Sequence, residues 1–240
     1  MRIFSSIKVI LVSLLTVLSM AALAKPEKVS SPTIEVVLET EQGNIVLEVY
    51  QSLAPKTSAY FLGFIDRGDY NGASFYRSSA SKLSTNENSG IIQGGVLYEY
   101  AASSRIRSMK ETGYSMLHNY ETTKETGLKH QYAMVSFARD LFETGAAIPD
   151  IFICQEDLPK FNAKGGDGPN ANGFPVFAKV IKGMDVVKII SAQQSTGPTA
   201  IKFLEGQILS KPVITGFTSA LALIIGVNQF KNLLGVDFIQ

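Results

Sequence analysis

The sequence predicts a mainly β protein, built as an antiparallel barrel or sandwich with two helices. After residue 72 the apolar runs are short, and turns rich in Gly, Asn and Ser separate them. Upstream, residues 34–49 alternate apolar and polar side chains, as the strands of a hairpin do. The 240 residues, 45% of them hydrophobic, suffice for one sizeable domain or at most two small ones.

The first element is a predicted β-hairpin. Apolar residues occupy alternate positions on both sides of a Glu-Gln-Gly-Asn turn at residues 41–44. They are Ile34, Val36 and Leu38 before the turn, and Ile45, Leu47 and Val49 after it. One face of the hairpin is therefore expected to be buried.

A helix is predicted to begin near Pro55 and to stop at Gly68. Its buried stripe consists of Tyr60, Phe61, Phe64 and Ile65. The later apolar runs predict strands, and a second helix and a closing strand follow them. The runs cover residues 91–97, 132–138, 151–154 and 174–181, the helix 182–193, and the closing strand 207–220. We find no internal repeat.

The N-terminus carries the pattern of a secretory signal. Arg2 and Lys8 precede an apolar run over residues 9–18, and Ala-Leu-Ala at 22–24 supplies a cleavage site. The alternative, an uncleaved anchor, is disfavoured because the apolar run is short for a bilayer. We therefore predict a signal peptide at 1–24, a linker at 25–32 and a periplasmic location for the mature chain.

The C-terminal residues 221–240 are predicted to form an amphipathic extension of the barrel domain at 33–220. Leu223, Val227, Phe230 and Leu234 recur at helical spacing. The segment is too short and too interrupted to span a bilayer, and its lone Lys231 attracts anionic lipid poorly. Docking on the barrel or on a partner is thus favoured over membrane binding.

Composition excludes several kinds of function. The formal net charge is +1, so no broad basic field for nucleic acid is expected. Cys154 is the single cysteine, which rules out an intramolecular disulfide, and within "IFIC" it suits a buried apolar position better than a nucleophile. His118 and His130 lack short-spaced partner ligands, so no metal and no cofactor is predicted. The "GGDGPNANG" loop at 165–173 lacks the Lys and Ser or Thr of a phosphate loop.

The segment "FYRSSASKLSTNENSGIIQGG" at 75–95 opens with an aromatic pair and Arg77 and closes with Gln93 and two glycines. Three further pieces follow in order: "AMVSFAR", "DIFICQEDLP" and "FPVFAKVIKGMDVVKII". In this order, from about Thr33 to Ala220, the chain resembles the cyclophilins, a family of peptidyl-prolyl cis-trans isomerases. The resemblance implies an eight-stranded antiparallel barrel capped by two helices. The polar residues 78–90 are then a loop inserted between two paired strands.

The same resemblance implies the roles of individual residues. Arg77 takes the catalytic role, by donating a hydrogen bond to the prolyl nitrogen, and Gln93 binds a substrate carbonyl. Phe75 supports the wall beside Arg77. The proline pocket and the peptide contacts would come from Ile91, Ala138, Arg139, Phe152, Leu158 and Phe174. Arg139 stands where the best-known members carry Asn, and Phe174 where many carry His.

Two functions therefore remain open. The first is an isomerase that accelerates X-Pro isomerisation during the folding of exported, proline-containing polypeptides. The second is a cyclophilin-like binding module or chaperone with little catalysis, which the inserted loop and the altered wall residues favour. The sequence does not predict an oligomeric state.

The signal pattern predicts that the mature protein begins at Lys25 and is soluble. Intact-mass measurement on protein recovered from the periplasm checks this prediction. A chain that retains Met1 and stays in the membrane fraction would contradict it.

Overall fold

Eight antiparallel strands close into a barrel in the computed structural model, which describes residues 33–79, 90–103, 105–141, 143–164 and 171–219. The strands are β1 Ile34–Thr40, β2 Gly43–Val49, β3 Ala73–Ser78, β4 Ile91–Gly95, β5 Met134–Arg139, β6 Ala147–Cys154, β7 Val176–Lys182 and β8 Ile208–Ser219. Around the barrel they follow the order β1-β2-β7-β5-β6-β4-β3-β8. The predicted mainly β fold and the eight-stranded barrel are confirmed.

The predicted N-terminal hairpin is formed by β1 and β2. Its register pairs Val36 with Leu47 and Leu38 with Ile45, and all four side chains are fully buried in the barrel core. Gly43 ends the turn with φ of 125°, a conformation that side-chain-bearing residues rarely adopt. The alternating apolar pattern of the sequence therefore does place one face of the hairpin inside.

Four helices and three 3₁₀ turns accompany the strands within the described residues. The helices are α1 Pro55–Asp66, α2 Tyr98–Ala102, α3 Thr123–Thr126 and α4 Met184–Ser191, and the 3₁₀ turns are Met109–Thr112, Pro159–Phe161 and Lys202–Leu204. The two longer helices, α1 and α4, are the ones that the sequence predicted. None of these helices is long and apolar enough to cross a membrane.

Helix α1 closes one side of the core with aromatic side chains. Phe61 packs against Phe177 of β7 and Phe137 of β5, with ring centroids 4.9 and 6.2 Å apart. At its N-terminus, the carboxylate of Glu121 accepts hydrogen bonds from the backbone N–H groups of Lys56 (2.8 Å) and Thr57 (3.0 Å). An acidic group there satisfies N–H donors that have no partner within the helix.

The segment after Glu121 forms the short helix α3, with Thr122 before it and Gly127 after it. Thr122 caps the short helix α3: the backbone N–H of Glu125 donates to the Thr122 hydroxyl, and the Glu125 carboxylate accepts from the backbone N–H of Thr122. This capping box orders the segment that positions Glu121 at the N-terminus of α1.

Strands β3 and β4 pair directly across the inserted polar stretch. Arg77 lies opposite Gln93 and Ser78 opposite Ile92, and the backbone N–H of Ser79 donates to the carbonyl of Ile91 at 3.0 Å. The two ends of the "FYR…QGG" segment therefore meet as neighbouring strands. The predicted insertion between paired strands is confirmed for these stems.

A β-bulge lies in β3 between Phe75 and Arg77, where two steps along β3 match one step along β4. Without a bulge, residues two apart in a strand share one face of the sheet. Here Phe75 lies in the barrel core, whereas Tyr76 and Arg77 both line a groove outside it. The bulge thus separates Arg77 from the core.

Four predictions concern residues outside the described ranges. The signal peptide at 1–24, the linker at 25–32 and the extension at 221–240 lie there, as do residues 80–89 of the inserted loop. These remain predictions.

Because the stems of β3 and β4 already pair, we expect the barrel to tolerate the loss of the inserted residues. Replacing residues 80–89 by Asn-Gly, which suits a two-residue hairpin turn, should change the melting temperature by only a few degrees. Closure entropy changes by only about 0.6 kcal/mol for each doubling of loop length. Thermal unfolding followed by circular dichroism measures this, and loss of a cooperative transition would contradict it.

Candidate active site

A groove runs along the outer face of the barrel, where β5, β6, β4 and β3 lie side by side. Its floor follows from strand alternation: in β6, Ile151 and Ile153 point into the barrel core, whereas Phe152 between them lines the groove. The groove encloses a cavity of about 190 Å³. The 3₁₀ turn Lys202–Leu204 borders it on the side of Arg77.

Seven of the nine site residues predicted from the sequence line this one groove. They are Arg77, Ile91, Gln93, Ala138, Arg139, Phe152 and Phe174. They come from four strands and one loop, so the fold, and no local segment, brings them together.

The guanidinium of Arg77 is held by two amide side chains. Its Nη1 donates to Oε1 of Gln93 at 2.6 Å, and its Nε and Nη2 both donate to Oε1 of Gln207 at 3.1 and 2.8 Å. Burial lowers the pKa of Arg77 to about 10, against the neighbouring Tyr76 and Asp150, which raise it. The group therefore stays protonated at neutral pH.

A buried hydrogen-bond network supports Gln93 from below. Its Nε2 donates to the Tyr76 hydroxyl at 3.2 Å and lies 3.4 Å from Oδ2 of Asp150, to which the Tyr76 hydroxyl also donates. The other carboxylate oxygen of Asp150 accepts from the backbone N–H of Leu97 at 3.1 Å. Burial raises the pKa of Asp150 to about 6, although these hydrogen bonds lower it.

Three phenylalanine rings form an apolar pocket next to Arg77. Phe152 meets Phe161 and Phe174 edge to face, with ring centroids 5.7 and 5.5 Å apart. Ile91 and Ala138 also line this part of the groove. The pocket is apolar and close to a cation, so it suits a small hydrophobic ring with a polar atom beside it.

His130 lies behind Phe152, with the two rings nearly parallel and their centroids 5.8 Å apart. Its Nδ1 is 2.8 Å from Oδ1 of Asn162 and its Nε2 is 3.3 Å from Oγ of Ser136. Burial lowers the pKa of His130 to about 4, although the hydrogen bond to Asn162 raises it. A neutral histidine thus backs the floor of the pocket and does not face the groove.

Arg139 closes the end of the pocket at the end of β5. Its Nε donates to the carbonyl of Gly145 at 2.7 Å, and its guanidinium lies over the rings of Tyr120 and Phe174 at 5.7 and 5.6 Å. The side chain is only 7% exposed. It is thus a rigid wall of the groove, whose flat cationic face packs on aromatic rings.

Two predicted site residues do not reach the groove. Phe75 was expected beside Arg77, but the bulge in β3 places it in the barrel core, and Tyr76 lines the groove in its place. Leu158 is buried in the cluster behind Phe152, while Phe161, three residues on, supplies the ring that faces the pocket. Both side chains thus lie behind the groove lining.

The sequence also missed the partners of Arg77. Asp150 directly precedes the "IFIC" run. The one sequence feature that could have indicated its role is a carboxylate within an otherwise apolar strand. Gln207 and Phe203 lie 130 and 126 residues beyond Arg77, and no motif pointed to them. Cys154 is buried in the same cluster as Phe152, and burial raises the pKa of its thiol, as suits an inert side chain.

Comparison with known proteins shows sequence similarity to one family. The family model described as cyclophilin type peptidyl-prolyl cis-trans isomerase matches residues 35–213. Peptidyl-prolyl cis-trans isomerase A of Dickeya dadantii is 29% identical over 209 residues, which cover 86% of this chain and 94% of the relative. A peptidyl-prolyl cis-trans isomerase of Acinetobacter baylyi is 31% identical over 160 residues, 66% of this chain and 73% of the relative.

A solved structure shows the same fold. The crystal structure of a Cryptosporidium parvum cyclophilin type peptidyl-prolyl cis-trans isomerase, obtained in the presence of the dipeptide Ala-Pro, superposes with a TM-score of 0.53 at 18% identity. The match covers 77% of this chain and 97% of that protein. Since the family model spans most of the barrel domain and the barrel has the expected topology, this chain belongs to the cyclophilin-type peptidyl-prolyl cis-trans isomerases.

Proposed function

We propose that this isomerase accelerates X-Pro isomerisation in exported polypeptides, with Arg77 as the catalytic residue and the prolyl ring in the pocket of Phe152, Phe161 and Phe174. The observation that carries the proposal is the position of the Arg77 guanidinium. It is clamped by Gln93 and Gln207 and lies in the same groove as that apolar pocket.

The reaction needs little machinery. Rotation about an X-Pro bond has a barrier of roughly 18–20 kcal/mol, because amide resonance is broken in the twisted state. In that state the prolyl nitrogen regains its lone pair and becomes a hydrogen-bond acceptor. A guanidinium fixed beside the ring then binds the twisted amide more strongly than the planar one, which is what lowers the barrier.

The charge of Arg77 is compatible with this role. Partial burial lowers the pKa to about 10, so the guanidinium is cationic and weakly hydrated at neutral pH. Within the described residues, Gln93 and Gln207 use three of its five N–H bonds. The two that remain are on the Nη atoms, from which a donor can reach a substrate in the groove.

Gln93 was predicted to bind a substrate carbonyl. In the structure its oxygen accepts from Arg77 and its nitrogen faces Tyr76 and Asp150. We propose that it mainly orients Arg77, and that a carbonyl contact requires its nitrogen to share a hydrogen with substrate. The peptide backbone is expected to run past Ala138 and Arg139, at the far edge of the pocket.

The periplasm and the exported substrates rest on the N-terminal pattern alone. Positive residues, a short apolar run and Ala-Leu-Ala precede the barrel. A cyclophilin exported by such a signal would meet proline-containing chains before they fold, where unassisted isomerisation takes tens to hundreds of seconds.

A weakly catalytic binding module is the second candidate, and one observation favours it. The ring of Phe203 lies over the guanidinium of Arg77, with Cζ 5.6 Å from the ring centroid, and is 48% exposed at the edge of the groove. A ring in this place adds apolar surface for capture of a peptide and narrows the approach to Arg77.

We expect Arg77→Ala to lose most isomerase activity while the barrel stays folded. The lost donor acts on the twisted amide, so turnover should fall by ~10²-fold or more, roughly 3 kcal/mol, with less effect on peptide binding. Arg77→Lys should restore little, because an ammonium cannot be held by the two amides in a planar fork. The measurement is catalysed cis–trans exchange of an X-Pro peptide by NMR.

Circular dichroism confirms folding of these variants, and Arg105→Ala, at an exposed arginine outside the groove lining, is the matched control. A folded Arg77→Ala protein with wild-type turnover would remove Arg77 from the catalytic role. If the wild type is inert but binds proline peptides, the binding module is the correct function.

We expect Asp150 to make stability depend on pH. Its pKa is raised to about 6 by burial, so its favourable contribution is present below the unfolded value near 4 and is lost as the pH rises through 6. Above pH 6 the buried charge costs on the order of 3 kcal/mol relative to the protonated form. Asp150→Asn carries no such charge. Between about pH 4 and 7, its free energy of unfolding relative to that of the wild type should therefore rise by about that amount.

Urea unfolding of both proteins across this pH range measures the difference. A constant offset from altered hydrogen bonds does not matter, because only the change with pH is tested. Asp66→Asn, at an exposed carboxylate, is the control. Parallel stability profiles for Asp150→Asn and wild type would show that Asp150 does not titrate as expected.

A further inference from the structure

We infer that Gln207 is a positioning residue for Arg77, and that it ties the guanidinium to the 3₁₀ turn Lys202–Leu204 at the edge of the groove. The inference rests on the catalytic role proposed for Arg77. It adds a residue that directly precedes β8, far along the chain, to the machinery of the same reaction.

The side-chain amide of Gln207 is engaged at both ends. Its Oε1 accepts from Nε and Nη2 of Arg77 at 3.1 and 2.8 Å, and its Nε2 donates to the carbonyl oxygen of Phe203. The amide can have only one orientation, because a guanidinium only donates and a carbonyl oxygen only accepts. Gln207 is 4% exposed, so water competes little for these bonds.

This contact decides the plane of the guanidinium. One oxygen that accepts from both Nε and Nη2 fixes one edge of the planar group, and Gln93 fixes Nη1 from the other side at 2.6 Å. A free arginine side chain samples many rotamers, and these contacts restrict it to one before substrate binds. Such preorganisation benefits the step in which charge or lone-pair density changes.

The backbone of Gln207 does not need its side chain to stay in place. Its N–H donates to the carbonyl of Leu204 at 2.9 Å, and its carbonyl accepts from the N–H of Ser78 at 2.8 Å. A side chain of similar size without the amide should therefore keep the strand, the turn and the packing. This separates a positioning role from a structural one.

The turn on the other side of the amide is part of the groove wall. Ile201, Phe203 and Leu204 all line the groove, and the Phe203 ring lies over the guanidinium. Through Gln207, the position of this wall and the orientation of Arg77 are set together. The turn therefore acts on the reaction through the amide as well as through direct contact with a peptide.

The test compares Gln207→Met, Gln207→Glu and Arg77→Ala in one exchange assay on an X-Pro peptide. Gln207→Met fills the same space without an acceptor, and should lower kcat about tenfold while KM changes less than about twofold. Gln207→Glu retains an acceptor that can orient the guanidinium, although its charge partly offsets that of Arg77, so its kcat should lie between those of the Met variant and the wild type. Gln131→Met, at an exposed glutamine, is the matched control and should behave as wild type.

Non-additivity supplies the decisive readout. If Gln207 acts through Arg77, then Gln207→Met combined with Arg77→Ala should be no slower than Arg77→Ala alone. Wild-type kcat for Gln207→Met beside an inactive Arg77→Ala would overturn the inference and leave the proposed function standing. Equal losses in the Met and Glu variants, or additive losses in the double variant, would show a merely structural role. Full activity of Arg77→Ala would overturn the proposed function itself.

Discussion

The register of four neighbouring strands is the constraint on which the site depends. Arg77 lies opposite Gln93, Gln93 opposite Phe152, and Phe152 opposite Ser136, so one row of residues crosses β3, β4, β6 and β5. Side chains alternate between the two faces of a strand, and a slip of one residue in any pair would turn part of this row into the barrel core. Closure of the barrel by β8, which pairs with β3, holds the row in place.

Two side-chain amides, those of Gln93 and Gln207, surround the charged group of this row. Gln93 stands between the cationic Arg77 and the buried carboxyl of Asp150, and Gln207 faces the guanidinium from the other side. An amide accepts from one neighbour and donates to the other, so it can satisfy a cation without neutralising it. A carboxylate in direct contact would have paired with Arg77 and reduced its attraction for a substrate atom. The guanidinium is thereby held and stays available.

The sequence predicted the parts of the molecule that short motifs encode. The hairpin, both longer helices and the closing strand follow from periodicity, and seven groove residues follow from family motifs that keep Arg77, Gln93 and Phe152 in order. Phe75, which the resemblance assigned to the wall beside Arg77, lies in the core because a bulge breaks the alternation of side chains along β3. Gln207 could not be found, because a contact between residues 130 apart leaves no local pattern when each side chain is a common polar one.

Closure of the barrel also affects how this protein can interact with other polypeptide chains. Every strand of the barrel has a hydrogen-bonded neighbour on both sides, so within the described residues the barrel presents no open sheet edge. An open sheet edge would be a template on which an unfolded chain could add a strand and aggregate. A closed barrel offers no such template. A peptide that this isomerase binds therefore meets the side chains of the groove and no free strand edge.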